Sequence, residues 1–363
     1  MVSYIKYIFG YDYVTDYLEN YKNVLEYIPQ NKQTICEQNC DKNDELILEV
    51  QAFCESTNLK KFIVSLSGGV DSMVLITILK LLGYDVIGVH INYNNRKETL
   101  EEQRFLEQWC YNNNIRLYIK IITEIKRANT KRSDYECEAK KIRFEFYKSV
   151  LTKEDTSFIM LGHHKDDIVE NIFTNVCRGR YIMDLAVIRE ICNIKDVNIV
   201  RPMLEFYKES IYEFAKKYQV PYFKDTTPEW SVRGKYRNKI YPLLKEAFTN
   251  NVKENLIVLS NQSDQWNELI TQKIVEPYFK TIIFDLKKCV FNVEEYKDYP
   301  LCFWNVIFMK IFNNYGKSSP SRKAIQVFIN SIKTKNVGFI SLANCSICRN
   351  KNYEITIKFS RET

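Results

Sequence analysis

Residues 61–72 read Lys61-Phe62-Ile63-Val64-Ser65-Leu66-Ser67-Gly68-Gly69-Val70-Asp71-Ser72. The first half is a short apolar run rich in β-branched residues, the pattern of a buried strand. The second half is small and polar, and it opens an apolar segment, Asp71–Leu82, that reads as a helix ending at Gly83. Adjacent glycines let backbone approach an anion closely, and a helix N-terminus offers unpaired N–H groups with the positive end of a dipole. Ser67 and Ser72 add hydroxyls. The stretch therefore reads as a phosphate cradle, although it lacks the lysine of the GxxxxGK[ST] loop. Asp71 is an acid beside a phosphate, which repels it unless a divalent cation lies between.

The alternation continues outward. Asp85–Ile91 reads as a strand, Glu98–Asn113 a helix, Ile115–Ile122 a strand, and Tyr135–Leu151 a helix. Ser157–Gly162 is a strand, His164–Val176 a helix, Val197–Val200 a last short strand, and Lys208–Tyr218 a helix. Strand and helix in turn predict an α/β fold, a parallel sheet with helices on both faces. Ligands in such sheets bind beyond the carboxyl ends of the strands, here residues 67–72, 90–96 and 162–170. From about Glu246 the alternation stops. Residues 246–275 and 299–333 look helical, broken in the second case by Gly316 and Pro320, and two short strands follow at 339–342 and 353–359. The domains expected are an acidic, Tyr-rich extension over 1–45, a catalytic domain over 46–245, and a mainly helical domain over 246–363.

Composition narrows the class. Of 363 residues, 45% are hydrophobic and 27% charged, which excludes collagen-like and wholly disordered chains. No run of about 18 apolar residues occurs, so no spanning helix is expected. The greasiest stretch, Leu301–Phe312, carries Lys310 and reads as a core helix. Eleven cysteines without a recognisable leader point to reduced thiols and a cytoplasmic setting. Two close pairs, Cys36 with Cys40 and Cys345 with Cys348, could hold zinc if the ends met, but small buried packing is the favoured reading. Residues 1–60 hold 5 Lys and 10 Asp/Glu, leaving 47 basic against 35 acidic residues elsewhere. A basic body permits a polyanionic partner. Residues 1–45 carry Tyr4, Tyr7, Tyr11, Tyr13, Tyr17, Tyr21 and Tyr27, whose spacings of three and four predict an aromatic-faced helix from about Thr15 to Tyr27, packed on the body or, alternatively, offered to bases as a stacking platform.

The run Ser67–Ser72 resembles the loop of the ATP-pyrophosphatase (PP-loop) superfamily. Its members split ATP between the α and β phosphates, adenylate a substrate oxygen, and let a nucleophile displace AMP. The loop is shared by GMP, NAD and asparagine synthetases and by tRNA thiolases. A second run, Gly162-His163-His164-Lys165-Asp166-Asp167-Ile168-Val169-Glu170-Asn171, with Cys177-Arg178-Gly179 beyond it, resembles the HHxxDxxE…RG signature of tRNA(Ile)-lysidine synthetases. Asp167 and Glu170 are three apart and share one helical face. All three histidines, His90, His163 and His164, fall at predicted strand ends on the ligand edge and could act as acid, base or phosphate partner. Glu136-Cys137-Glu138-Ala139-Lys140-Lys141-Ile142-Arg143-Phe144 is similar to the family's E-A-x-A-R-x-x-R-Y helix, with Glu136, Ala139 and Arg143 coinciding. Glu136 and Lys140 stand at ion-pair spacing. Arg201-Pro202-Met203-Leu204, Asp225 and Arg237-Asn238-Lys239-Ile240 echo a later stretch. Asp225-Thr226-Thr227-Pro228 and Tyr241 depart from it, in the part that handles substrate. The resemblance runs over about 46–335.

That resemblance implies ATP-dependent ligation of lysine to C2 of the wobble cytidine of a tRNA(Ile) with a CAU anticodon. It implies that Ser67, Gly68, Gly69, Val70, Asp71 and Ser72 hold ATP. Asp71 with Asp166 or Asp167 would bind magnesium, Asp167 and Glu170 the lysine amines, and Arg178 the adenylate. His163 and Asp167 join the catalytic candidates, with His90, His164, Glu136 and Arg143 in support. The alternatives are a PP-loop tRNA thiolase and a non-catalytic RNA-binding relative.

Overall fold

A computed structural model describes residues 18, 20–29, 35, 41–125, 130–183, 185, 187–248, 251–334, 339–343, 346–351 and 353–359. It divides into two compact units, Met1–Ser260 and Asn261–Thr363. This division falls at 260/261, within the helix Val252–Ile270, whereas the sequence places the boundary at 245/246.

The first unit is built on a six-stranded sheet in the order β4 (Arg116–Ile121), β3 (Asp85–Asn92), β2 (Lys61–Ser65), β5 (Phe158–Met160), β7 (Val197–Val200), β6 (Ile191–Ile194). All neighbours are parallel except β6 and β7. Strand β6 was not expected. It arises from a two-residue hairpin in which Lys195 and Asp196 both take positive φ, 51° and 60°, the backbone that matches the twist of paired strands. β2 is buried on both faces. Phe62 and Val64 pack with the helices Glu45–Thr57, Val70–Leu81, Thr99–Asn112 and Lys208–Lys217, whereas Ile63 packs with Phe144, Tyr147, Val150 and Leu151 of the helix Arg132–Glu154. A strand covered on both faces has no polar side to alternate with, which is why it reads as a continuous apolar run. The chain moves outward from β2 to β4, then returns to the other side of β2 with β5. The crevice between β2 and β5 is thus the topological switch point.

The helix expected over Thr15–Tyr27 is corrected: of its described residues only Leu18 is helical, and 20–24 form turns. Leu25–Tyr27 forms β1, paired antiparallel with β8 (Tyr222–Phe223), because its backbone finds a partner edge two hundred residues away. Tyr4, Tyr7, Tyr11, Tyr13 and Tyr17 lie outside the described residues, as do Cys36, Cys40 and Cys345.

The second unit is mainly helical and also carries an antiparallel sheet, order β11 (Phe339–Ala343), β12 (Ser346–Lys351), β13 (Glu354–Phe359), β10 (Lys288–Asn292), β9 (Ile283–Phe284). Its core centres on Trp304, Phe308 and Phe312 of the helix Leu301–Asn314 and Phe328 of the helix Arg322–Lys333. Lys310, the charge in that greasy run, pairs with Glu276 at 2.8 Å. Gly316 ends the first helix at φ 64°, and Ser321 caps the second by accepting from Ala324 N at 3.2 Å. No helix among the described residues is long and apolar enough to cross a membrane.

Candidate active site

The loop after β2 turns on Gly68, whose φ is +84°. A Cβ there would lie 2.0 Å from the Phe223 ring, so only glycine fits. Phe223 N also donates to Gly68 O at 2.9 Å. Ser72 Oγ accepts from Ser67 N and Gly68 N, each at 3.2 Å, and donates to Gly69 O at 3.0 Å. The Ser72 hydroxyl thus shapes the loop from within. The first-turn N–H groups of the helix Val70–Leu81 have no intrahelical acceptor and face the crevice. Gly162, after β5, is a second point of close approach: a Cβ there would lie 2.8 Å from Asp71 C. That contact brings the two motifs together at the switch point.

The helix Lys165–Cys177 starts at this edge. Asp167 Oδ2 accepts from His164 N at 3.2 Å, so the third residue of the helix satisfies the backbone N–H of its cap. Its other oxygen bonds Arg233 and accepts from Arg237 Nη2 at 3.3 Å. Glu170 pairs with Arg233 Nε at 3.2 Å and Arg237 Nε at 3.0 Å. Two carboxylates three residues apart thus meet two guanidiniums four residues apart. Burial works against the Asp167 charge, yet His164, Arg233 and the His164 N–H outweigh it and hold its pKa below the ordinary carboxylate value. Glu170 goes the other way: burial raises its pKa despite both arginines.

Asp71 accepts from Lys208 Nζ at 2.7 Å on both oxygens. Asp166 accepts from Lys208 N at 2.7 Å and bonds Lys253. His164, 1% exposed, sits among all three acids, 3.6 Å from Asp71, 3.7 Å from Asp166 and 3.4 Å from Asp167, with no hydrogen bond to either ring nitrogen. Burial lowers its pKa and favours neutral imidazole.

His163 has a different task. Its Nδ1 accepts from Arg201 Nε at 2.8 Å, and burial with the neighbouring cations lowers its pKa to about 4. An imidazole held neutral as an acceptor positions Arg201. His90 Nδ1 lies 2.8 Å from Leu66 O, and since a carbonyl only accepts, this nitrogen carries the proton. Burial lowers the His90 pKa as well.

A cavity of about 500 Å³ opens at this edge. Its wall includes Ser67, Gly69, Val70 and Asp71, then His90 and Tyr93, then Lys208, Arg233 and Arg237. Arg143 reaches this wall through Tyr93, with Nη1 3.5 Å from the hydroxyl. Glu136 does not: it is exposed and pairs with Arg132 at 2.7 Å, in place of the expected Lys140. Arg178 stands just past the C-terminal end of its helix, exposed and outside the cavity wall. Fourteen residues of helical rise put it roughly 20 Å from His164. Arg233, Lys208 and Lys253 were not among the candidates. For Arg233 the signal was available, since Arg233 and Arg237 form an i,i+4 pair complementary to Asp167 and Glu170.

The site fits a nucleoside triphosphate. Gly69 and the first turn of the helix Val70–Leu81 line the cavity, behind them Gly68 has no room for a side chain, and Lys208, Arg233 and Arg237 supply positive charge. A preformed metal centre is not evident: among the described residues no three Asp, Glu, His or Cys side chains are arranged to hold an ion. Each acid that could bind magnesium is already paired with a lysine or arginine, so an ion would have to displace that cation.

The PP-loop domain model matches residues 42–244, more than half of the chain. The tRNA(Ile)-lysidine synthase of Chlamydia pneumoniae is 26% identical over 315 residues, covering 85% of this chain and 94% of that protein. The tRNA(Ile)-lysidine synthase of Enterococcus faecalis is 27% identical over 279 residues, 73% of this chain, and the match spans 58% of that longer relative. Among solved structures, the U34-tRNA thiolase NcsA of Methanococcus maripaludis is 18% identical, with 62% of this chain and 79% of that one covered at a TM-score of 0.48. The glycine-shaped loop after β2 and the switch-point crevice are what a match over 42–244 requires, and the chain belongs to the PP-loop family.

Proposed function

We propose that the protein uses ATP to join lysine to C2 of the wobble cytidine in a tRNA(Ile) bearing a CAU anticodon. The observation that carries this reading is a single cavity lined both by the phosphate loop and by the arginines that rest on Asp167 and Glu170. Similarity to tRNA(Ile)-lysidine synthases over most of the chain supports the same reading.

In the first step the cytidine O2 attacks the α-phosphorus of ATP, and the bond to the β-phosphate oxygen breaks. The N–H groups of residues 70–72 bind the departing pyrophosphate, and Lys208 offsets its charge. In the second step the lysine amine attacks C2 and the C2–oxygen bond breaks, so that AMP leaves with that oxygen and the nucleophile loses a proton to a base. Asp167 and Glu170 hold the amines, and the guanidiniums now on them are free to turn to the lysine carboxylate or the adenylate. Arg237 and Arg233 thereby take the adenylate role first considered for Arg178. Magnesium, arriving on the phosphates, would neutralise charge there with Asp71 as its protein ligand. The test is ATP-dependent transfer of labelled lysine to a tRNA(Ile) transcript with CAU, beside a tRNA(Met) control. Incorporation into the first alone is expected; pyrophosphate release without incorporation would move the nucleophile to sulfur or another amine.

A further inference from the structure

The PP-loop match begins at residue 42, yet the segment before it touches the nucleotide cavity. β1 pairs with β8, Lys224 N donates to Val24 O at 2.9 Å, and Lys224 Nζ donates to the carbonyls of Lys22 at 3.3 Å and Asn23 at 3.0 Å. Glu26 Oε2 accepts from Asp225 N at 3.3 Å. Tyr27 stacks on Tyr222, with centroids 5.6 Å apart and planes at 18°. Leu18, Val24 and Leu25 are anchored in the same core as Val70. The segment therefore grips residues 222–225 along their whole length.

That gripped stretch joins the two halves of the site. At one end Phe223 covers Gly68. At the other, Asp225 lies 3.5 Å from Arg237 Nη1. Glu26, Phe223, Asp225 and Arg237 all line the cavity. We propose that residues 22–27 are a clamp that sets the spacing between the phosphate loop and the arginine pair, with Glu26 as its positioning residue. The clamp rests on the reading of this cavity as the ATP site.

Binding of a non-hydrolysable ATP analogue to the full chain tests it without tRNA or lysine. Glu26→Ala removes the acceptor for Asp225 N, and its affinity is expected to fall about threefold to tenfold, the net worth of one ordinary hydrogen bond at an exposed site. Glu26→Gln keeps an acceptor and should stay within about twofold of wild type. Lys224 itself lines the cavity, so Lys224→Met, which also frees two carbonyls of the segment, should weaken binding at least as much as Glu26→Ala. Glu26 and Lys224 are exposed, so Tm should move by less than about 2 °C in each. A merely structural role would lower Tm and leave affinity alone. Wild-type affinity in Glu26→Ala overturns the clamp, and Glu26→Gln as weak as Glu26→Ala replaces positioning by a direct charge effect. If the wild type binds no nucleotide, the ATP-site reading fails and the clamp with it.

Discussion

Gly68→Ala tests the geometry of the phosphate loop most directly. The new methyl would lie 2.0, 2.2 and 2.8 Å from three carbons of the Phe223 ring. Ordinary carbon contacts are about 3.5–4.0 Å, so ring and loop must part by roughly 1.5 Å. Phe223 is 6% exposed and packed in the main core, which leaves little room to yield. Overpacking of this kind costs about 1–3 kcal/mol, and a side chain at φ +84° adds about 1–2 kcal/mol. A total of about 2–5 kcal/mol corresponds to a Tm roughly 5–15 °C lower for a unit of this size. The displaced loop should also lose pyrophosphate release by about 100-fold, the usual effect of a 1 Å misplacement. Differential scanning calorimetry and a labelled-pyrophosphate assay read the two effects. Phe223→Ala by itself should cost about 3–5 kcal/mol through the cavity it opens, but on that background Gly68→Ala should cost only the backbone share of about 1–2 kcal/mol. A Gly68→Ala protein with unchanged Tm and unchanged turnover would refute the close packing of loop and ring.

Asp71→Asn should abolish AMP formation while circular dichroism stays native; pyrophosphate release near the wild-type rate would sink the role given to that carboxylate. Arg237→Ala should cost lysine transfer about 100-fold, in line with the loss of one well-placed charge donor, whereas Arg178→Ala should leave ATP affinity within about twofold. The reverse order would return the adenylate role to Arg178. Acid should destabilise the first unit through His163. Its folded pKa of about 4 lies below the unfolded value, so the unfolded chain binds more protons and stability falls as pH drops from about 6.5 towards 4. Asp167, also lowered, adds a loss further into acid. Urea unfolding of His163→Gln across that range should give a flatter pH profile, and an identical slope in both proteins would contradict the buried neutral imidazole.

Much of the fold was legible because its rules are local. The apolar run Phe62–Val64 marks a strand covered on both faces, and the glycines after it mark a turn into a helix. His163 and His164 fall at the sheet edge because β5 ends there. Three features were not legible. β6 depends on a hairpin whose Lys195-Asp196 turn lacks the usual glycine or asparagine. The tyrosine spacing before residue 28 imitates a helix, but Leu25–Tyr27 is claimed by the β8 edge. Arg178 adjoins the HHxxDxxE stretch in sequence, yet helical rise carries it away from the cavity.

The phosphate loop, the parallel sheet and the edge at which the chemistry sits are written in the order of residues along the chain, since periodicity, glycine freedom and helix dipoles act over a few residues. Which charges meet is settled by packing over long separations. Arg233 finds Asp167 across 66 positions and Lys208 finds Asp71 across 137. Such pairings follow from how the helices and strands pack, because a buried or half-buried carboxylate takes whichever cation the fold brings to it.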